Sequence, residues 1–360
     1  VSATSGRRRA VLAGGGSLAG GLLAAAVFLL AARGGEQVEQ AGPGAPVAET
    51  TTTVPAPAPL APLTGLPADP AALERVALVV KIDNAEGLAR PQAGINQADV
   101  VIEEKVEGNI SRFVAVFHST DAPLVGPVRS ARTTDLSLID ALDRPLFAYS
   151  GANRIFLELV RAAPLVDVGF DAAPSDYERL PGRKAPNNLF TSTPALWARA
   201  PAGGSPPAPF ASFAAPGSRA VPPAGALPAA TGGFSFGATG TRIEYRWDPS
   251  RRGWLRWQNG TEHVDTDGSQ VAPANVIVQF VRYVDSGARD SAGNPVPEAE
   301  TTGEGDALVF TEGAVIAGTW SRPDPTRMAA YQDAAGQPVT LTAGRTWVAL
   351  VPVGTNVDVG

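Results

Sequence analysis

The chain has 360 residues, 44% hydrophobic and 18% charged, which is enough to bury the cores of about two ordinary domains. Lack of Cys excludes disulfides, thiolate metal sites, a cysteine nucleophile and lipidation on Cys. The net charge of -6 includes Arg7, Arg8 and Arg9, so the remainder is more acidic still, which argues against nucleic acid as a partner.

Residues 1–9 form a basic N-terminus, expected in the cytoplasm, and residues 10–32 an uncharged run. As a helix that run would span roughly 35 Å against a hydrocarbon core of about 30 Å, so it is expected to be a transmembrane anchor or signal segment. The arginines before it predict that everything after Arg33 is extracytoplasmic, on a single-pass cell-membrane protein or one exported after cleavage. Arg8-Arg9 also fits a twin-arginine export signal, whereas Leu30-Ala31-Ala32 lacks the small residue that a cleavage site needs. Residues 33–61 are rich in Pro and Thr and predict an extended, disordered tether.

Residues 62–200 mix elements. Strands are expected at 75–82, 98–103 and 111–118; in the last, Phe113, Ala115 and Phe117 share one face. Helices are expected over 136–142 with Thr133 and Thr134 as caps, over 153–162, and after Thr193-Pro194. An Ala/Pro/Gly-rich linker or surface loop follows at 201–233. Residues 234–360 read as short strands punctuated by Asp248-Pro249, Asn259-Gly260 and Asp267-Gly268, with no helix. The expected fold is α+β: a layered mixed α/β N-terminal domain followed by a mainly antiparallel β C-terminal domain.

Charge is sparse but gathers in short motifs. Within a strand Glu103 shares a face with Val101 while Glu104 points to the other side, so both carboxylates cannot line one site. The candidate ligand-binding set is Arg90, Gln92, Glu103, Glu107, Arg112, Arg129 and Arg132. Guanidinium forks suit a carboxylate, phosphate or sugar-like envelope ligand. The same residues could instead be an internal Arg–Glu network that fixes loops, and the sequence leaves both readings open. His118 and His263 are the only histidines and lie far apart, so no metal site is expected, and no cofactor motif occurs. His118 reads as a structural residue and His263 as a turn-stabilising one. Trp247, Trp254 and Trp257 could stack a sugar or fill the core.

Four segments resemble successive signatures of the YerB-like lipoproteins, a two-part bacterial domain of unknown function 3048. They are Arg90 to Glu104, Val106 to Phe113, Val125 to Arg132, and Ala185 to Phe190. His263-Val264-Asp265, Asn275 to Val278, Gly318-Thr319-Trp320 and Gly344 to Val348 are similar to its second part. The resemblance implies an extracytoplasmic α+β protein and supplies no activity. Two departures stand out: no Cys is present to carry a lipid, and Asn187 stands where the family commonly has His.

The expected function is a membrane-anchored, extracytoplasmic, non-enzymatic binding or scaffold module for cell-wall glycan or an envelope protein. The alternative is a cell-wall glycan hydrolase or transferase using Glu103 or Glu107 as acid/base, with one carboxyl pKa raised.

Overall fold

β-Branched runs bounded by turn residues build the first half of the folded chain around strands that are buried on both faces. The computed structural model describes residues 58–237, 240–290 and 293–360. The basic N-terminus at 1–9, the expected anchor at 10–32 and the tether up to residue 57 lie outside the described residues. Among the described residues no helix is long and apolar enough to cross a membrane.

The first half supplies β1 (Leu78–Asp83), β2 (Val100–Lys105), β3 (Ser111–Phe117), α1 (Thr133–Ile139), β4 (Leu146–Ala148), α2 (Arg154–Ala162) and β5 (Val166–Asp167). α1 starts earlier than expected, at Thr133, because Asp135 accepts the Arg132 N–H at 2.7 Å, so the threonines are the first helical residues and not the caps. α2 is capped by Asn153, whose side chain accepts the Ile155 N–H. The short helix Thr193–Trp197 is capped by Ser192 rather than Thr193.

The second half supplies β6 (Thr231–Ser235), β7 (Arg242–Asp248), β8 (Gly253–Gln258), β9 (Thr261–Glu262), β10 (Asn275–Val281), β11 (Tyr283–Arg289), β12 (Pro295–Ala299), β13 (Gly303–Thr311), β14 (Ala314–Arg322), β15 (Ala330–Asp333), β16 (Thr346–Pro352) and β17 (Asp358–Val359). As expected from its turn residues, no helix occurs among the described residues of this half.

The expected N-terminal α/β and C-terminal β regions contribute strands to one shared sheet. One large mixed sheet runs β15-β14-β13-β10-β16-β2-β3-β1-β4-β5. Its two halves meet where β2 pairs parallel to β16, from Val100 opposite Thr346 to Glu104 opposite Leu350. Each strand would otherwise present an open edge, and pairing satisfies both rows of backbone donors and acceptors. The described residues, from 58 onward, accordingly belong to one compact unit.

Both faces of this sheet are covered. On one face Leu78, Val80, Phe113, Phe117, Val101 and Trp347 pack against Phe234, Ile243, Tyr245 and Trp254 of a smaller antiparallel sheet, β9-β8-β7-β6-β17. On the other, Val79, Val116, Phe147, Val348 and Leu350 pack under Ile139 of α1 and Val160 of α2. Double coverage explains the unbroken burial of β1 and β3. The stretch 201–233 is docked: the Phe210 N–H donates to the Pro62 carbonyl, and Phe210 is buried. β11 and β12 form a separate hairpin that packs Ala288 and Val296 on Phe156 of α2.

Phe113 sits beside Trp347 across the joint, ring centroids 5.1 Å apart. Replacing it with Ala is expected to cost about 3–5 kcal/mol. Urea unfolding followed by far-UV circular dichroism and by tryptophan fluorescence should give one coincident transition in parent and variant; two separated transitions would mean that the halves fold independently.

Candidate functional site

The period of the strands distributes the charged residues between two faces of the large sheet. Glu103, on the β2 face that carries Val101, meets the smaller sheet. Its carboxylate accepts Arg256 Nη2 at 2.8 and 3.0 Å and the Ser111 hydroxyl at 2.6 Å, with both ion-pair side chains fully buried. Arg256 Nη1 donates to His263 Nδ1 at 2.5 Å and to Gln258 Oε1 at 3.1 Å. His263 Nε2 donates to Gln92 Oε1 at 2.8 Å, while Gln92 Nε2 donates to the Asp83 carbonyl and to Asn84 Oδ1. This pattern makes His263 the neutral Nε2–H tautomer, consistent with burial and the nearby Arg256 charge holding its pKa well below the usual value. Arg256 lies 5.4 Å from the Phe113 ring and 4.9 Å from Trp347. Arg256, Glu103, His263, Gln92 and Gln258 are all fully buried, and Arg256 Nε and Gln258 Nε2 make no hydrogen bond.

On the helix-covered face, Lys81 Nζ donates to Glu104 and, at 2.6 Å, to Asp135 of α1, all three buried. Burial pushes the Glu104 carboxyl up to about 7 despite the pull of Lys81, and its Oε2 makes no hydrogen bond.

Nearer the surface on this face opens a pocket of about 720 Å³. Its walls are Arg112 of β3, Arg129, Ser130 and Arg132 in the segment before α1, the N-terminus of α2 at Asn153 and Arg154, and Arg289 from the β11–β12 hairpin. Asp83, one strand over, takes Arg129 Nε at 3.0 Å and the Asn187 amide, and stands 3.6 Å from Arg112 Nε, too long for a hydrogen bond. Arg132 is fully engaged, its Nε and Nη2 on Glu107 at 2.8 and 3.0 Å and its Nη1 on the Ala131 carbonyl. Arg112 is different. Its residue is 6% exposed, yet Nε and Nη1 have no hydrogen-bond partner. Burial, with Arg132 and Arg129 close by, lowers its pKa to about 10, which still leaves it a cation at neutral pH. Arg154 has no ion-pair partner among the described residues. The pocket is therefore suited to an anion.

These features draw on two sequence signatures. Residues 63–205 match the N-terminal domain, and residues 234–348 the C-terminal domain, of a protein of unknown function, DUF3048. The chain belongs to the DUF3048 family. It is 29% identical over 300 residues to "Putative lipoprotein YerB" of Bacillus subtilis (strain 168), covering 81% of this chain and 86% of that protein. The crystal structure of Bacillus subtilis YerB superposes with a TM-score of 0.70 at 25% identity, over 83% of this chain and 99% of that one. In DUF3048 terms, both the interior network and the pocket combine residues of the N-terminal and C-terminal signatures.

The seven residues expected to form one site divide. Glu107, Arg112, Arg129 and Arg132 line the pocket, whereas Gln92 and Glu103 belong to the buried network. Arg90 lies beside that network, donating to the Glu262 carbonyl at 2.8 Å. The acid/base role considered for Glu103 is corrected: its side chain has no exposure and is held by Arg256. Glu107 does not suit a general acid either, since the Arg132 fork outweighs burial and lowers its pKa. Trp254 is core and packs against Trp247 with ring centroids 5.2 Å apart, as in the core-filling reading, and Arg246 lies over the Trp257 ring at 4.0 Å. His118 Nε2 pairs with the Arg75 carbonyl, a structural contact.

Sequence reasoning missed Lys81, Arg256, Arg154 and Arg289. Lys81 and Arg256 had a signal: each interrupts an apolar strand, and Arg256 shares the inward face of Trp254. Arg154 and Arg289 had none, because their proximity depends on how α2 and the hairpin pack.

Glu103→Ala leaves the Arg256 charge buried without its counter-ion and is expected to cost about 3–5 kcal/mol in urea denaturation. A loss below about 1 kcal/mol would show that the pair is dispensable. Glu104 sets a pH dependence. Its carboxyl is raised from the ordinary 4.5, so between there and about 7 the folded chain holds a proton that the unfolded chain has released. That contribution to stability is present near the lower limit and is lost as the pH rises through the folded value. The parent's melting temperature should therefore fall from about pH 5 to about pH 8 more steeply than that of Glu104→Gln.

Proposed function

We propose that this chain is an extracytoplasmic, non-enzymatic binding module, held at the membrane by residues 10–32, that captures an anionic cell-envelope component in the arginine-lined pocket. The observation that carries this reading is Arg112: a buried guanidinium with unpartnered nitrogens on the wall of an open pocket. A buried donor left unmade costs about 1–3 kcal/mol, more for a charged group, and a bound anion would remove that cost. The arrangement around it adds Arg129, whose terminal nitrogens make no hydrogen bond among the described residues, and the free Arg154. The relative described as a lipoprotein supports placement at the envelope. Despite burial, the Arg132 fork lowers the Glu107 pKa, opposite to the raised value that acid catalysis of glycoside cleavage requires.

The test is to incubate the chain with isolated cell wall, measuring both retained protein and soluble fragments. Retention without fragments is expected, weakened about tenfold or more by Arg129→Ala and Arg154→Ala, which remove charge-assisted contacts. Release of fragments that disappears in Glu107→Gln would overturn the binding reading in favour of a hydrolase, and absence of retention would overturn it outright.

A further inference from the structure

The free donors of the pocket define the shape of what it accepts. Arg132 is spent on Glu107 and on a carbonyl, so it contributes charge but no donor. The donors left over are Arg112 from β3, the terminal nitrogens of Arg129 from the segment before α1, and Arg154 from α2. Ser130 lines the same pocket, and its hydroxyl has no partner among the described residues.

A carboxylate is planar and its two oxygens are served by one guanidinium fork. Here the three free forks stand on three separate elements, a strand, a loop and a helix terminus, and no single plane of two oxygens serves them all. A tetrahedral group offers oxygens in several directions. The α2 N-terminus adds the positive end of the helix dipole to the same wall, an arrangement that favours phosphate groups. Charge agrees: the five lining arginines, Arg112, Arg129, Arg132, Arg154 and Arg289, outnumber the carboxylates Glu107 and Asp290 beside them together with Asp83 and Asp285, which pair with Arg129 and Arg289.

Resting on the anion-capture reading, we propose that the pocket recognises a phosphate ester, held by Arg112, Arg129 and Arg154 with the Ser130 hydroxyl and the α2 N-terminus. Two envelope sources carry that chemistry, a phosphodiester polymer and a phospholipid headgroup, and both present the same tetrahedral anion.

Calorimetric titration of the full chain with glycerol 3-phosphate and with malonate, a dicarboxylate of comparable size and charge, tests the assignment. Glycerol 3-phosphate is expected to bind at least about tenfold more tightly than malonate, and Arg154→Ala, at an exposed position, to weaken it about tenfold without lowering the melting temperature. Arg112→Lys, which keeps the charge and loses the fork, should weaken it as well. If malonate binds equally or better and depends on Arg112 and Arg154, the phosphate assignment falls while the anion pocket stands. If neither probe binds, the underlying reading falls with it. Phosphate binding that ignores both substitutions would place the site elsewhere and also overturn the proposal. Soluble poly(glycerol phosphate) and phosphatidylglycerol vesicles, each compared between parent and Arg112→Lys, then identify the source. An Arg112-dependent response to either supports the assignment, and the comparison removes any contribution of a membrane anchor.

Discussion

A guanidinium placed out of reach of water has to find its counter-charge inside the protein, and Arg256 finds it across the chain's own midpoint. β8 supplies the cation and β2 the Glu103 carboxylate, with both side chains fully buried. Desolvating each alone would cost several kcal/mol, so neither half could bury its member of the pair without the other. The pair works in concert with the parallel β2–β16 joint, which lies on the same strand as Glu103. A chain that reads as two domains is thereby committed to a single core, and the pocket on the opposite face inherits a rigid floor.

Much of this was legible. β-Branched runs and turn residues located β1, β2, β3, β7, β8, β10, β13, β14 and β16 but not β4, β6 or the β11–β12 hairpin, and strict alternation placed Glu103 and Glu104 on opposite faces of β2, where they serve different partners. Side-chain period says which face a residue takes but not which distant strand faces it. Edge pairing between β2 and β16 is set by backbone hydrogen bonds that every sequence offers, so it left no mark in the residues. The candidate arginines came from local motifs, and locality accounts for the division found: Arg112, Arg129 and Arg132 meet because β3 and the segment before α1 flank the end of β1 on its two sides. Gln92 and Glu103 instead follow their strand and loop to the other face.

The two polar assemblies differ in access. In the interior network, Gln92, His263, Glu103, Ser111 and Asn84 find partners and the aromatic faces of Phe113 and Trp347 flank the central cation, while Arg256 Nε and Gln258 Nε2, left without a hydrogen bond, are fully buried and line no part of the arginine pocket. The mutual hydrogen bonds rigidify that interior. In the pocket, Arg112 is close to four other charges and ion-paired at 3.6 Å with Asp83, yet its Nε and Nη1 make no hydrogen bond, a condition that a folded chain maintains only where the surrounding structure holds it. Asn187, where the family commonly carries His, points its amide at Asp83, the same acid that anchors Arg129. That acid therefore sets how far the arginines can lean toward each other.

Among the described residues the β11–β12 hairpin pairs with no other strand, and it contributes one wall of the cleft through Arg289. Its base is tied to the main sheet, the Tyr283 hydroxyl accepting the Lys105 N–H and donating to the Leu350 carbonyl and the Ala299 N–H donating to the Thr134 hydroxyl, whereas its outer part rests on a small apolar patch at Phe156 and the Asn153 amide on the Arg289 carbonyl. Evolution, or a protein engineer, can lengthen, shorten or recharge this finger while leaving every rung of the main ladder intact. Recognition breadth and architectural integrity are thus encoded in separable stretches of chain, so relatives with the same scaffold are free to diverge in what they hold.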